Sequence, residues 1–166
     1  MVSNPLRFGV GILGGLACCL LAACYTFSGT TLPTHLKTLR ILPVGNETLE
    51  SSLADKIAQG LDEGFRQRTN LLRVNQGGDA ELATTLKSYS HRPQSVSGDK
   101  VTTYRVDMLL SVVFLDRVKD DTLYQESQVP GYGFYSIDQG QTEETGQKLA
   151  IDNAVKVILD HAASGW

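Results

Sequence analysis

The chain has 166 residues, 18 of them acidic and 15 basic, for a net charge of −3 at neutral pH. That balance supplies no general electrostatic attraction for a nucleic acid. Its three cysteines all lie at or before Cys24. In an exported protein the remainder then has neither a disulfide nor thiol chemistry of its own, and its stability must come from packing alone.

The first element reads as a secretory signal. A short leading region with Arg7 as its only cation precedes the apolar run Phe8 to Leu20, and Leu21-Ala22-Ala23-Cys24 follows. An aliphatic residue, two small residues and a cysteine have the form of a bacterial lipobox. A signal peptidase must fit small side chains just before the cut, and only a thiol can carry a thioether-linked diacylglycerol. The run is too short and too rich in glycine for a comfortable membrane span. Cys18 and Cys19 suit the role less well, because the residues after them still belong to the apolar run. Residues 1–23 are expected to be removed, leaving Cys24 as the lipidated first residue; the alternatives are a plain signal cut at Ala-x-Ala and an N-terminal helix that stays. Each buried CH2 contributes about 0.8 kcal/mol, so two or three acyl chains make an effectively permanent anchor. No cofactor is expected besides that covalent lipid. Residues 24–35 form the anchored segment, in which Tyr25, Phe27 and Leu32-Pro33 suggest a short stretch that docks. Residues 36–166 form one domain, and none of its apolar runs is long enough to cross a bilayer.

Within the domain, Leu36 to Val44 reads as a first strand and Gly45 to Thr48 as a turn. Ser52, with Asp55 three residues on, opens a helix to about Gln67 as a variant capping box. Leu53, Ile57, Leu61 and Phe65 recur every four residues along it and mark a core-facing stripe. Gly60 and Gly64 each cost about 1 kcal/mol relative to alanine, which suggests that the helix lies close against a sheet there. Leu71 to Val74 makes a short second strand and Ala80 to Tyr89 a third, with a polar loop from His91 to Lys100 after it. Val101 to Asp116 is the clearest strand in the chain. Its even-numbered face, Tyr104 to Phe114, is apolar throughout; its odd-numbered face begins with Thr103, Arg105 and Asp107 and then turns to Leu109, Val113 and Leu115. Helices on one side of a sheet leave such a second apolar face uncovered. A helix end, the N-terminal segment or a partner protein must cover it. Leu123 to Val129 is a fifth strand, and Pro130 to Tyr135 a glycine-aromatic loop suited to contact. A last helix runs from about Thr142 to Ala163, and Trp166 ends the chain. The order β-α-β-β-β-β-α predicts an α+β two-layer sandwich, with two helices on one face of a mixed four- to five-stranded sheet.

Catalysis is not expected. His35, His91 and His161 are scattered without metal-ligand spacing, and no nucleophile elbow or phosphate-binding loop occurs. The adjacent pairs Asp120-Asp121 and Glu143-Glu144 fit a tight turn and a helix start.

These residues, taken in order, resemble the LptE family of lipoproteins. The likeness rests on the lipobox followed by Tyr25-x-Phe27-x-Gly29 and Leu32-Pro33, then on Leu39-Arg40-Ile41, Asn46-x-Thr48 and Leu53 to Phe65. It continues with Asp79-Ala80-Glu81-Leu82, Ser88-Tyr89-x-x-x-Pro93, Tyr104-Arg105-Val106 and Phe114-x-Asp116. Two departures stand out: Tyr25 directly follows the cysteine where a glycine is common, and Tyr124 stands where a tryptophan is frequent. The resemblance implies a plug and assembly factor inside the outer-membrane β-barrel LptD, which moves lipopolysaccharide to the cell surface. Leu109, Val113 and Leu115 of the doubly apolar strand and Tyr132 and Phe134 of the glycine-aromatic loop are the expected partner contacts, and the resemblance points to basic loop residues, here Arg92 and Lys100, as contacts to lipopolysaccharide phosphates. Because Tyr25 is not the aspartate that retains enteric lipoproteins in the inner membrane, the outer membrane is the expected address. The competing expectation is an accessory lipoprotein of a peptidoglycan synthase or another envelope complex.

Overall fold

The computed structural model describes residues 32–164. The signal segment, Cys24, the stretch from Tyr25 to Thr31 and Trp166 lie outside the described residues. The elements are β1 (Thr38–Ile41), β2 (Gly45–Asn46), α1 (Leu53–Arg68), β3 (Leu72–Arg73), β4 (Ala80–Ser97), β5 (Lys100–Asp116), β6 (Asp121–Ser136), a 3-10 turn (Ile137–Gln139) and α2 (Glu143–Ser164). One mixed sheet runs in the order β3-β1-β4-β5-β6, with β2 paired to β4. β1 is parallel to β3 and to β4, with α1 in the crossover, and β4, β5 and β6 form an antiparallel meander. This is the predicted α+β two-layer arrangement. The sheet gains β2 because Gly45–Asn46, predicted as part of a turn, pairs with Thr85 and Leu86 before the chain bends away.

The period-two alternation of β5 decides which face is covered. Val106, Met108, Leu110, Val112 and Phe114 are all buried, and they share a core with Leu82 and Leu86 of β4 and with both helices. Leu53, Ile57 and Leu61 of α1 are fully buried. Each contributes about 1.5–3 kcal/mol by leaving water.

Four local expectations are corrected. Ser52 makes no side-chain cap hydrogen bond; its backbone is already helical at φ −75° and ψ −15°, so it lacks the extended geometry from which a cap side chain reaches back. Gly60 and Gly64 face the other helix and not the sheet: a Cβ on either would collide with Ile151 or Val155 of α2. The polar stretch from His91 to Ser97 is strand, because the β4–β5 hairpin continues as a long arm to a tip at Gly98, where φ is +60°. The β4 side of that arm, His91 to Ser97, is exposed on both faces and largely polar, so no alternation marked it as strand. Pro130 to Tyr135, predicted as a loop, is also strand, within β6. Its glycines bring the backbones of β6 and α2 together: a Cβ on Gly133 would strike the carbonyl oxygen of Gly146, and one on Gly131 that of Ala150.

Polar clasps hold the two ends of the sheet. Where the chain enters β1, His35 Nε2 lies 2.5 Å from Asp116 Oδ2, and Asp116 Oδ1 accepts the backbone N–H groups of Val118 and Lys119 at 2.9 and 3.0 Å. Asp79 accepts the N–H groups of Lys37 and Thr38, both at 2.9 Å. Burial pushes the Asp116 carboxyl upward, but the hydrogen bonds from Lys119, His35 and Val118 outweigh it and hold the group below the usual carboxylate value. At the other end, Tyr89 Oη donates to Glu143 Oε1 at 2.5 Å and accepts from Gln147 Nε2 at 3.1 Å. Lys56 of α1 reaches Gln147 Oε1 at 2.9 Å. His91 stacks on Tyr104 and Tyr135, with Nε2 2.8 Å from the Tyr135 hydroxyl. Burial first, and Glu143 second, push the Tyr89 phenol well above its ordinary value. The arm is thus fastened to the start of α2.

Two outcomes test this account. Gly133→Ala forces a side chain against helix backbone and should cost about 1–3 kcal/mol, read as a lower urea midpoint with an unchanged slope. For Asp116 the folded-state pKa lies below the unfolded one, so its stabilisation is present above the unfolded value of about 3.9 and is lost as pH falls through the lower folded value. The gap in denaturant midpoint between the wild type and Asp116→Asn should close progressively as pH falls below about pH 4.

Candidate functional site

Among the described residues, no element covers the face of the sheet opposite the helices. The odd-numbered side chains of β5 point there, so Leu109, Val113 and Leu115 share one face and are only half-buried. β6 places Pro130 opposite Leu109, Tyr132 opposite Asp107 and Phe134 opposite Arg105. Tyr132 is 46% and Phe134 39% exposed. Five residues chosen from sequence as partner contacts therefore converge on one surface, which joins an apolar half to an aromatic half.

The aromatic half also carries charge. Arg105 sits over both rings, its guanidinium carbon 5.5 Å from the Tyr132 centroid and 5.3 Å from that of Phe134. Its Nε donates to Asp107 Oδ1 at 2.7 Å. Arg92, directly opposite Arg105 across the β4–β5 pair, donates through Nη2 to Asp107 Oδ2 at 3.0 Å. Arg92 therefore belongs to this face. Lys100 does not join it: as the first residue of β5, it stands five positions, about 17 Å, farther along the strand toward the tip. Sequence reasoning missed Arg105 and Asp107 as members of a site. Their alternation on the odd-numbered face was visible, but their cross-strand partner Arg92 had been placed in a loop.

In each polar clasp the donors and acceptors pair with one another. His35 and His91 lie at opposite ends of the sheet, and His161 packs edge-on against Tyr124. Among the described residues no group of three or more His, Cys, Asp or Glu side chains could hold a metal ion. No described helix is long and apolar enough to cross a membrane. The open groove between α1 and α2 is lined by charges of both signs, including Lys56, Glu63, Glu144 and Lys148.

Comparison with known proteins agrees with this architecture. An uncharacterised lipoprotein B from Nitrosomonas europaea superposes with a TM-score of 0.57 at 16% identity, over 83% of this chain and 88% of that one. A hypothetical protein from Chlamydia trachomatis gives 0.53 at 11% identity, over 78% and 99%. A PelC dodecamer subunit from Paraburkholderia phytofirmans gives 0.52 at 11% identity, over 82% and 94%. At these identities the likeness is one of fold. No curated protein matches the chain in sequence. The family model for LptE, described as lipopolysaccharide-assembly, matches residues 36–161, and the chain belongs to that family.

Proposed function

We propose that the chain is a lipid-anchored partner of an LptD-like outer-membrane β-barrel, which it plugs and helps to assemble while lipopolysaccharide passes to the cell surface. The observation that carries this reading is the uncovered face of the sheet. Leu109, Val113, Leu115, Tyr132 and Phe134 lie together there, on the side that neither helix reaches. A contiguous apolar and aromatic surface of this kind calls for a protein partner. Membership of a lipopolysaccharide-assembly family supports an LptD-like barrel as that partner. Arg92 and Lys100 are the proposed contacts to lipopolysaccharide phosphates.

Topology supports a definite orientation. The tether from Cys24 enters where β1 and β4 begin, and β4 then runs from Ala80 to Ser97, roughly 55 Å of extended chain, toward the hairpin tip. With lipid on Cys24 in the membrane, the tip is the part carried farthest from the anchor.

Affinity purification of the tagged chain from detergent-solubilised outer membrane tests the reading. A large heat-modifiable barrel should come with it; recovery of a peptidoglycan synthase, or of no barrel, would sink the proposal. Leu109→Asp and Val113→Asp should each reduce barrel recovery at least about tenfold, while changing domain stability by no more than about 1 kcal/mol. Should these variants simply unfold, the face is core and not interface. Cys24→Ala should shift the barrel-free chain from the membrane fraction to the soluble one.

A further inference from the structure

β6 is the outermost strand of the sheet, paired with β5 on one side and with no strand on the other among the described residues. The direction of its backbone groups can be read residue by residue. Ser136 is extended, at φ −115° and ψ 124°, so its N–H and C=O point to the same side. Both meet Gln141, whose Oε1 accepts the Ser136 N–H at 2.8 Å and whose own N–H donates to the Ser136 carbonyl at 3.1 Å. Groups taken by Gln141 are not shared with β5, so that side is the outer one. The β5–β6 register is unbroken from Ser136 back to Val129. Phe134, Tyr132 and Pro130 therefore also turn their backbone groups outward, while Tyr135, Gly133 and Gly131 turn theirs to β5. Pro130 agrees, because its missing N–H falls on the edge, where no ladder bond is lost.

Natural sheets blunt their free edges, and β6 does so at both ends of this stretch. Gln141 occupies the Ser136 end. At the other end the strand bulges, and Glu126 Oε1 accepts the N–H groups of Ser127 and Gln128 at 2.9 and 3.1 Å. Between these stops the edge is open. The Pro130 carbonyl and the N–H and C=O groups of Tyr132 and Phe134 meet no hydrogen-bond partner among the described residues. Leu149 of α2 stands over Gly133, where a Cβ would lie 2.9 Å from its own, yet it remains 46% exposed.

We propose that this open stretch of β6 takes a short extended segment of the barrel partner as an added strand, lying opposite Tyr132, Gly133 and Phe134. The pleat sets the chemistry of that segment. Its residue opposite Gly133 turns a side chain to the helix layer, toward Leu149, and is therefore apolar; its neighbours turn theirs to the open face, beside Tyr132 and Phe134. The edge is thus continuous with the partner surface already described, since the same two residues give their side chains to the face and their backbone to the edge. A closed barrel wall has no free strand edge to offer, so the segment comes from a loop that enters the lumen. A second copy of this chain fits badly. Antiparallel pairing centred on Gly133 would set Pro130 of one copy opposite Ser136 of the other, where Gln141 already stands. The inference rests on the barrel reading and deepens it by naming the backbone groups through which the partner is held.

Amide hydrogen exchange tests this, read residue by residue on the full chain in neutral detergent, alone and in complex with the barrel. In the free chain Gly133 and Tyr135 should exchange at least about a hundredfold more slowly than Tyr132 and Phe134; in the complex Tyr132 and Phe134 should slow by a similar factor. Phe134→Pro deletes an outward N–H that Phe134→Val keeps, and both lose the ring. Barrel recovery with the proline variant should fall about tenfold below that with the valine variant. Equal recovery defeats the backbone role. So do Tyr132 and Phe134 amides that exchange in the complex as they do in the free chain, and this measurement on the wild type does not depend on whether the proline variant folds. Protection that appears in the chain alone and grows with its concentration gives the edge to a second copy and overturns the barrel segment. A barrel recovered while the edge amides stay unprotected sinks this inference alone, whereas a wild-type chain that brings down no barrel sinks it together with the parent reading.

Discussion

A sheet has two faces, and two helices can cover only one. That constraint governs this molecule, because β5 is apolar on both sides for half its length. The even-numbered side chains go under α1 and α2 and make the core. The odd-numbered ones are left over, and the domain has no third layer among its described residues to bury them. The uncovered face is thus a direct consequence of a strand that is too apolar for its own fold. Natural sequences hold such excess apolar surface where a partner removes it.

The close approach of α2 to β6 makes the same point from the covered side. Gly131 and Gly133 delete side chains where the helix backbone must pass, and Gly146 answers them from the helix. The intervening residues, Tyr132 and Phe134, consequently point the opposite way, onto the open face. A single Gly-aromatic-Gly-aromatic run therefore serves both layers. It lets the helix down on one side and builds the contact surface on the other.

Much of this could be read from the residues. The apolar stripe of α1 and the alternation of β5 specified their elements, because each has a strong period tied to burial. The crossover followed from the length of the first helix. Two stretches were misread for one physical reason. His91 to Ser97 and Pro130 to Tyr135 owe their extended conformation to backbone pairing with β5, and pairing across sequence leaves no periodic mark when the side chains are polar or absent. The site inherited that error. Leu109, Val113 and Leu115 were legible because they alternate within one strand. Arg105 and Asp107 became part of a site only once Arg92 was opposite them, and register is not written in any single segment.

The clasp at the entrance to β1 has a mechanical consequence. A pull from the N-terminal side passes Leu32, which packs against the core, reaches His35, which a buried carboxylate grips, and then enters β1, which is paired in parallel with β4 and β3. Force applied along the strand direction loads those hydrogen bonds in shear, so they must yield together instead of unzipping one at a time. The Asp79 bonds to Lys37 and Thr38 add two more links to the same load path. Load arriving from the N-terminal side therefore meets these joints before it reaches the rest of the sheet.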